Sequence, residues 1–442
     1  MPEKTKDKQF FTVARVFFLL IVIPISLMAI LIANGIFKVG DIARQRAVTV
    51  LDQKSQEEIK ARAINTAEEV ANFLTERKKD LLIATIIPTT DSSYKQFVNE
   101  NRKNIWVKQD DKITQVSAPL YSEMTLVDKS GNEQIKIING QVAPKSSLGN
   151  VSNPKNTFYK SEDYFAKTIK LNKGEVYVSA VTGWYVNRFE FEKGKTFSGV
   201  VRFATPVFGK EGLAGIIVLS LDYRHLAGFT NHIVPTQANP VFKSDASTGN
   251  YAYMVDNKGF IIVHPNDYHI EGLLPDGSPV PPLTKENYEE QIKKGQEVLN
   301  LNLLGFMDPN LPEVAKDAAA GKSGIKTYKF GGHTKFVAYA PIPFFCTDYP
   351  KPGGFGWVGM GVDVEKFNEV ATATAKNIEK EAKTWTTTIV IIMIISIVLL
   401  FLISALLARG IARSIETEVP EGSQEVADYY EDEEEEEDKD KK

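Results

Sequence analysis

The residue types that most often perform catalysis or bind metals are few and scattered in this sequence. The five histidines include no pair spaced four residues apart, so there is no helical zinc-binding motif. The single cysteine, Cys346, excludes a disulfide within the chain and a cysteine-rich metal site. No Gly-x-Ser-x-Gly elbow, Walker loop or histidine beside a nucleophile is present. The sequence therefore predicts a protein that is not an enzyme and that needs no metal or cofactor.

Two long uncharged segments decide the broad class of protein. Residues 16–37 and 385–408 contain 22 and 24 residues without a charge. At about 1.5 Å per residue, a helix of this length spans the roughly 30 Å hydrocarbon layer of a membrane. A cleaved signal peptide is the alternative for the first segment, but its long apolar run and the lack of a small-residue cleavage site favour an uncleaved anchor. The sequence predicts a membrane-integral protein that crosses the membrane twice.

The distribution of charge bears on where the parts of the chain lie. The formal net charge is −4, but residues 416–442 hold 14 acidic residues against three lysines. Such a block of like charge is typical of a disordered, self-repelling tail. Long segments between membrane helices translocate largely regardless of charge. We therefore expect residues 38–384 outside the membrane and residues 1–15 and 409–442 in the cytoplasm. No basic face interleaved with aromatic residues is present, so nucleic acid is not an expected partner.

A long helix-favouring stretch, residues 39–85, follows the first membrane segment. Its apolar residues recur at helical spacing, at Ile59, Ala63, Ala67, Val70, Phe73 and Leu74. A stripe of this kind packs either on its own domain or on a second copy of itself. The second alternative predicts a homodimer held together by this helix.

The remaining exported residues predict two similar modules, residues 86–240 and residues 241–365. In each module a strand, a tight turn and a second strand are predicted, beginning near Glu123 and near Tyr251. A helix over residues 366–384 then leads to the second membrane segment. Antiparallel strands with tight turns and a few helices are typical of an α+β fold made of PAS-like modules.

Four motifs carry a resemblance to a known family. They are Ser161-Glu-Asp-Tyr-Phe, Gly174-Glu-Val-Tyr-Val-Ser, Val201-Arg-Phe-Ala-Thr-Pro-Val-Phe with the Leu-Ser-Leu-Asp that follows, and Tyr251–Pro265. In this order, and between two membrane segments, they resemble the double Cache (dCache) sensor domain of bacterial and archaeal transmembrane receptors. The resemblance implies a protein of the cytoplasmic membrane whose membrane-distal module, residues 86–240, binds a small molecule such as an amino acid, amine, organic acid or purine.

The resemblance also implies where the ligand binds. It places the pocket between a helix near residues 162–170 and the sheet of the distal module. An aromatic connection over residues 183–194 is a candidate lid, with surface packing or a partner contact as the alternatives. The candidate ligand-binding residues are Tyr164, Phe165, Tyr177, Ser179, Trp184, Tyr185, Arg202 and Asp222.

This sequence departs from the amino-acid-binding members of the family. In those members an arginine two residues before the aromatic pair holds the ligand carboxylate, and here that position is Glu162. Ser179 replaces one of the acids that hold the ligand ammonium, which leaves Asp222. The resemblance therefore implies another ligand, such as an amine or an organic acid. Arg202 either supplies the missing cation or pairs with an internal acid such as Asp222 and only supports the fold.

The predicted function follows from these features. Only residues 409–442 follow the second membrane segment, too few for the two amphipathic helices of a HAMP domain. We therefore expect no output domain in this chain and a signalling or complex partner in its place. The sequence predicts a homodimeric sensory protein that binds a small molecule. The alternative is a structural or accessory subunit of a larger membrane complex, which uses the dCache scaffold for protein–protein interaction.

Overall fold

The structure is a computed structural model that describes residues 3–109 and 112–418. The described residues belong to two compact units, residues 52–369 and the described parts of residues 1–51 and 370–442. The α-helices are α1 Glu3–Ala84, α2 Asp91–Glu100, α3 Tyr164–Thr168, α4 Arg188–Glu192, α5 Tyr223–Ala227, α6 Tyr288–Lys294, α7 Asn310–Ala319 and α8 Val364–Glu418. The strands are β1 Arg102–Gln109, β2 Lys112–Pro119, β3 Tyr121–Asp128, β4 Glu133–Ile138, β5 Gln141–Val142, β6 Tyr177–Val178, β7 Thr182–Gly183, β8 Gly199–Gly209, β9 Gly212–Asp222, β10 Tyr251–Asp256, β11 Ile261–Val263, β12 Gly324–Phe330, β13 His333–Ile342 and β14 Gly356–Asp363.

A seven-stranded antiparallel sheet positions the candidate site. Its strand order is β5-β4-β3-β9-β8-β6, and β7 pairs with β8. The two central strands, β8 and β9, pair from Val200 opposite Asp222 to Gly209 opposite Gly212. Gly212 has a φ of 102°, a left-handed backbone conformation that a glycine adopts without a steric penalty. The tight turn at Gly212 thus joins the two strands, whose register shifts once, between Val207 and Phe208.

The two faces of this sheet are covered by different parts of the chain. Successive residues of a strand point to opposite faces. Phe203 of β8 and Leu219 of β9 belong to the main core cluster, together with the buried side chains of α1 and α2. Their neighbours Ala204 and Val218 belong to a smaller cluster that contains the aromatic residues of α3. Arg202 therefore lies on the α3 face of the sheet.

A second, five-stranded antiparallel sheet has the order β11-β10-β14-β13-β12. Every residue of its central strands β10 and β14 is buried. Buried residues of α7, Leu311 and Val314 among them, join the same core cluster as this sheet. That cluster also contains residues of the seven-stranded sheet, so one continuous core serves both sheets. The division into two separate modules stays a prediction.

The apolar stripe of α1 is used inside residues 52–369. Ala63, Val70 and Leu74 are completely buried, and Ile59 and Phe73 are nearly so. All five belong to the main core cluster. The first of the two predicted alternatives is therefore confirmed, because the stripe packs on its own domain. The homodimer stays a prediction, and the buried stripe is not free to form it.

The other unit contains the two apolar segments. Phe18–Ala43 of α1 and Ala373–Ile411 of α8 are long and apolar enough to cross a membrane by length and composition. Their large apolar side chains are mostly exposed. Within this unit the rings of Phe18 and Phe401 meet edge to face, with centroids 5.4 Å apart. The segments overlap the predicted spans 16–37 and 385–408. The predicted acidic tail lies almost entirely outside the described residues.

Most predicted strands are present, but one hairpin is not foreseen by the sequence. The strand pairs β3–β4 and β10–β11 occur where a strand, turn and strand were predicted, and β12, β13 and β14 close the second sheet. The additional hairpin is β1–β2, which forms a two-stranded sheet of its own. Its strand β2 is exposed over six of its eight residues, so it lacks the alternation of apolar and polar residues that marks a half-buried strand.

Candidate ligand-binding cleft

A cleft with a volume of about 1190 Å³ opens beside Arg202 and Asp222 on the seven-stranded sheet. Its walls come from β1, from β3 and β4, from the Phe158-Tyr159 pair, from residues 194–202 and from residues 222–243, and Asp267 completes the lining. This volume is comparable with small-molecule sites, which measure about 300–1,000 Å³. The cleft is the candidate functional site of the described part of the chain.

Arg202 lies at the inner end of the cleft and is bound by the protein itself. Its Nε and Nη2 donate to the two carboxylate oxygens of Glu162, over 2.7 and 3.1 Å. Its Nη1 donates to Glu123 Oε1 over 2.8 Å and to Ser220 Oγ over 2.5 Å. Burial opposes the charge, but Glu123 and Glu162 hold the pKa of Arg202 well above its usual value. Arg202 thus pairs with internal acids, and these are Glu162 and Glu123 rather than Asp222.

Glu123 is the second acid of this network. Burial opposes its charge, but Arg202 and Lys136 together lower its pKa below the usual value. Lys136 Nζ lies 3.9 Å from Glu123 and 2.7 Å from Glu133. Glu162, which occupies the position of the family's ligand-binding arginine, is therefore one part of a buried chain of alternating charges. Such a chain is stable only while each acid keeps its cation.

Asp222 lies at the junction between β9 and α5. Its carboxylate caps α5 by accepting a hydrogen bond from the backbone N–H of Arg224 over 2.9 Å. The Arg224 guanidinium donates to the same carboxylate, with Nη2 to Oδ2 at 2.6 Å. Both residues line the cleft, and the Arg224 side chain is 56% exposed there whereas that of Asp222 is 15% exposed. Asp222 therefore lines the cleft with its negative charge already paired with Arg224.

Three other predicted residues, Tyr164, Phe165 and Tyr177, pack together on the α3 face of the sheet. All three are buried in the smaller cluster with Ala204 and other residues of the sheet. The Tyr177 hydroxyl donates to Asp163 Oδ1 over 3.3 Å. None of the three lines the described cleft. Their part in ligand binding stays a prediction, and in the structure they pack against the sheet and one another.

Ser179, Trp184 and Tyr185 also lie outside the cleft lining. Ser179 Oγ accepts the backbone N–H of Arg202 over 2.8 Å and so fixes the strand that carries the guanidinium. The Trp184 ring lies 5.2 Å from the ring of Tyr159, behind the cleft wall. The Tyr185 hydroxyl donates to the carbonyl of Tyr268 over 2.9 Å, toward the second sheet. Of the eight predicted residues, only Arg202 and Asp222 line the cleft.

The sequence analysis missed two parts of the cleft wall. One is strand β1, which contributes Lys103–Lys108. The other is Tyr159, which is 4% exposed; its ring meets Phe158 edge to face and packs at a tilt against Trp184. The Phe158-Tyr159 pair directly precedes the Ser161 motif and was a signal that could have indicated it. No pattern in the sequence marks β1 as a wall, because that role depends on how the hairpin folds over α5.

These features define an α+β domain with a cleft that is suited to a small molecule. The chain belongs to the Cache domain family, since residues 44–362 match the sequence model of the double Cache domain dCache_1. No protein among those with curated functions matches the chain.

Several solved structures have a similar fold. The extracellular domain of vpHK1S-Z8, named as a histidine kinase, is 15% identical, with 76% of this chain and 99% of that chain covered and a TM-score of 0.43. A domain of a Vibrio parahaemolyticus protein, named as a sensory box/GGDEF family member, is 16% identical, with 73% and 100% covered and a TM-score of 0.43. The ligand-binding domain of the Pseudomonas fluorescens chemoreceptor CtaA, in complex with L-leucine, is 12% identical, with 72% and 99% covered and a TM-score of 0.40.

Proposed function

We propose that this protein is a membrane-anchored sensory protein that binds a small molecule in the cleft beside Arg202 and Asp222. The observation that carries the proposal is the cleft itself, about 1190 Å³ in volume and lined by aromatic and charged side chains from five parts of one domain. Membership of the Cache family supports a sensory role. Binding sites of this kind combine apolar walls with a few placed polar groups. The protein acts by binding and not by catalysis.

The proposal includes the arrangement of the chain in the membrane. Residues 38–384 lie outside the cytoplasm, and residues 1–15 and 409–442 lie inside it. The two sheets act as a membrane-distal module, which holds the ligand, and a membrane-proximal module. Helices α1 and α8 run on into the apolar segments Phe18–Ala43 and Ala373–Ile411, which supports them as the route by which ligand binding reaches the membrane. The protein works as a homodimer and signals through a partner protein.

A structural or accessory subunit is the second candidate function. One observation favours it: Arg202 is fully engaged by Glu162 and Glu123, and the aromatic residues of α3 fill the neighbouring space. A dCache domain that has lost its ligand would keep such a self-contained core. The cleft favours the sensory protein, because a domain used only as a scaffold has no need to keep an open, aromatic-lined cavity.

A thermal-shift screen of the full-length protein in detergent micelles distinguishes the two functions. The panel consists of amino acids, amines, organic acids and purines. We expect at least one class to raise the melting temperature in a dose-dependent way, because a ligand stabilises the folded state by about 2.7 kcal/mol at a hundredfold excess over its Kd. Trp106→Ala, in the cleft wall, should reduce the shift. The matched control Phe208→Ala, at an exposed aromatic residue outside the cleft, should not. No shift with any compound would reject the sensory function in favour of the accessory subunit.

A further inference from the structure

We infer that the cleft selects an organic anion with an aromatic or apolar body and without an ammonium group. This inference rests on the proposed function and names the class of its ligand. It departs from an amino-acid ligand, whose ammonium needs an available carboxylate, and from an amine. The inference rests on the partners of each charged side chain that lines the cleft.

The cleft offers no available carboxylate among the described residues that line it. Glu123 accepts from Arg202, and Asp222 accepts from Arg224, as described above. The remaining acid, Asp267, lies 3.3 Å from Lys243 Nζ and also accepts the backbone N–H of Phe197 over 2.7 Å. A ligand ammonium would have to displace a cation from one of these acids. A cationic ligand therefore gains little binding free energy in this cleft.

The cations of the cleft are in excess over its acids. Six lysines and arginines line it, against three aspartates and glutamates. Clefts lined by one sign of charge attract ligands of the opposite sign. Three of the six cations pair with the three acids, and Lys136 also pairs with Glu133. Lys103 forms no ion pair with a described acid, so it adds positive charge that the described lining does not neutralise. An anion is the ligand that this balance favours.

Lys103 is the cation best placed to receive the anion. It lines the cleft from β1 and forms no ion pair with a described residue. Its Nζ lies 4.5 Å from the ring centroids of both Phe73 and Phe229. Burial and the nearby Arg77 lower its pKa, while Glu76 and Glu69 of α1 partly oppose this shift from a distance. A carboxylate beside Lys103 would give this cation the partner that the protein does not supply.

Tyr159 supplies a second contact for the ligand. Its ring is 96% buried, yet its hydroxyl has no hydrogen-bond partner among the described residues. Burial raises the pKa of Tyr159 to about 12, so the hydroxyl stays protonated and donates. A hydroxyl without a described protein partner at the wall of an open cleft is suited to a ligand oxygen. Aromatic side chains line the same cleft and provide flat apolar surface for the body of the ligand, namely Trp106, Phe158, Phe197, Phe229 and Phe242.

Three probes with the same indole body test the inference on the full-length protein in detergent micelles. They are indole-3-propionate, an anion; L-tryptophan, a zwitterion; and tryptamine, a cation. Isothermal titration calorimetry gives the Kd of each. We expect indole-3-propionate to bind at least about tenfold more tightly than tryptamine, with L-tryptophan between them or weaker. We expect its Kd to rise with salt, because screening weakens the attraction between charges.

Matched variants identify the residues. Lys103→Met keeps the alkyl chain and removes the charge, and it should raise the Kd of indole-3-propionate about tenfold, which Lys103→Arg should largely restore. Lys112→Met, at an exposed lysine of β2 outside the cleft, should leave the Kd unchanged. Tyr159→Phe should raise it by about three- to tenfold. Arg224→Met frees the Asp222 carboxylate and should improve tryptamine binding.

The outcomes separate this inference from the proposed function. Tighter binding of tryptamine or L-tryptophan than of indole-3-propionate would overturn the anion selectivity while leaving a ligand-binding protein. An anion whose Kd does not respond to Lys103→Met or Tyr159→Phe would overturn the assigned contacts. If none of the three probes binds and the wider panel yields a ligand with an ammonium group, the inference fails and the function stands. If no compound of either panel binds, both fail.

Discussion

At the scale of the residue, the network around Arg202 shows how the fold satisfies a buried guanidinium with its own acids. The guanidinium donates four hydrogen bonds, to Glu162, Glu123 and Ser220. A ligand carboxylate at this point would have to replace a bidentate internal partner and leave Glu162 as a buried, unpaired charge. That exchange costs more than it returns. Arg202 is thus a positioning residue at the inner end of the cleft.

The same network gives a prediction about stability. Arg202→Met leaves Glu162 and Glu123 buried without their guanidinium, and we expect the free energy of unfolding to fall by about 3–5 kcal/mol. The double variant Arg202→Met with Glu162→Gln removes one of the stranded charges and should recover part of that loss. Denaturant unfolding of the full-length protein, followed by tryptophan fluorescence, measures both. Arg224→Met, at an exposed ion pair, is the control and should cost about 0–1 kcal/mol. Equal losses for Arg202→Met and Arg224→Met would contradict a structural role.

The sequence predicts that Arg202 has an internal acidic partner, but it does not predict which acid this is. A charge on a central strand rarely stays buried alone, so an internal acid was a sound expectation for Arg202. The choice of Glu162 over Asp222 depends on which strand face each residue occupies and on a loop some 40 residues away in the chain. The Asp222 carboxylate instead accepts hydrogen bonds from the backbone N–H and the guanidinium of Arg224, two residues further along the chain. A capping pattern of this kind is visible in the sequence, but its effect on a ligand site is visible only in the fold.

At the scale of the element, apolar periodicity in the sequence predicts the buried helices and strands but not the exposed hairpin. The α1 stripe and the strands β8, β9, β13 and β14 were predictable, because their apolar spacing matches a buried face. The hairpin β1–β2 was not, since β2 buries almost none of its side chains. This hairpin contributes Lys103 and Trp106 to the cleft. The hairpin that carries the inferred ligand contact Lys103 is therefore one that hydrophobic patterning cannot detect.

Glu271, beside strand β11 at the edge of the five-stranded sheet, is expected to make the stability of the protein depend on pH. Burial raises the pKa of Glu271 to about 7 from its ordinary 4.5, and the neighbouring Asp256 raises it further. Because the folded state binds this proton more tightly than the unfolded state, Glu271 favours folding below about pH 4.5 and loses that contribution as the pH rises through about 7. Glu271→Gln keeps the neutral form at every pH. We expect its stabilising effect to be larger at pH 8 than at pH 5 by on the order of 1–2 kcal/mol.

Unfolding curves of the full-length protein at the two pH values check this expectation. Glu289→Gln, at an exposed position of α6, is the matched control and should have the same small effect at both. An effect of Glu271→Gln that does not change with pH would mean that the carboxylate is ionised throughout this range.

At the scale of the whole molecule, the two apolar segments bear on which side of the membrane the cleft meets its ligand. Family membership rests on residues 44–362, and the two apolar segments flank this region in the chain. In the proposed topology the domain faces the medium outside the cell, and the inferred anion reaches the cleft from that medium. The proposed topology places the cleft and the acidic residues 416–442 on opposite sides of the membrane.

That arrangement predicts a pattern of cysteine labelling. In a Cys346→Ser background, a single cysteine is placed at Lys112, on the exposed hairpin, or at Gly410, where a side chain meets no other atom within 4 Å. With a membrane-impermeant maleimide on bacterial spheroplasts, we expect Lys112→Cys to be labelled at once, because the proposed topology places residues 38–384 outside. Gly410→Cys should be labelled only after the membrane is opened with detergent. The reverse pattern would invert the proposed topology and would place the cleft in the cytoplasm, where a sensor of external anions could not work; labelling of both in intact spheroplasts would show that α8 does not cross the membrane.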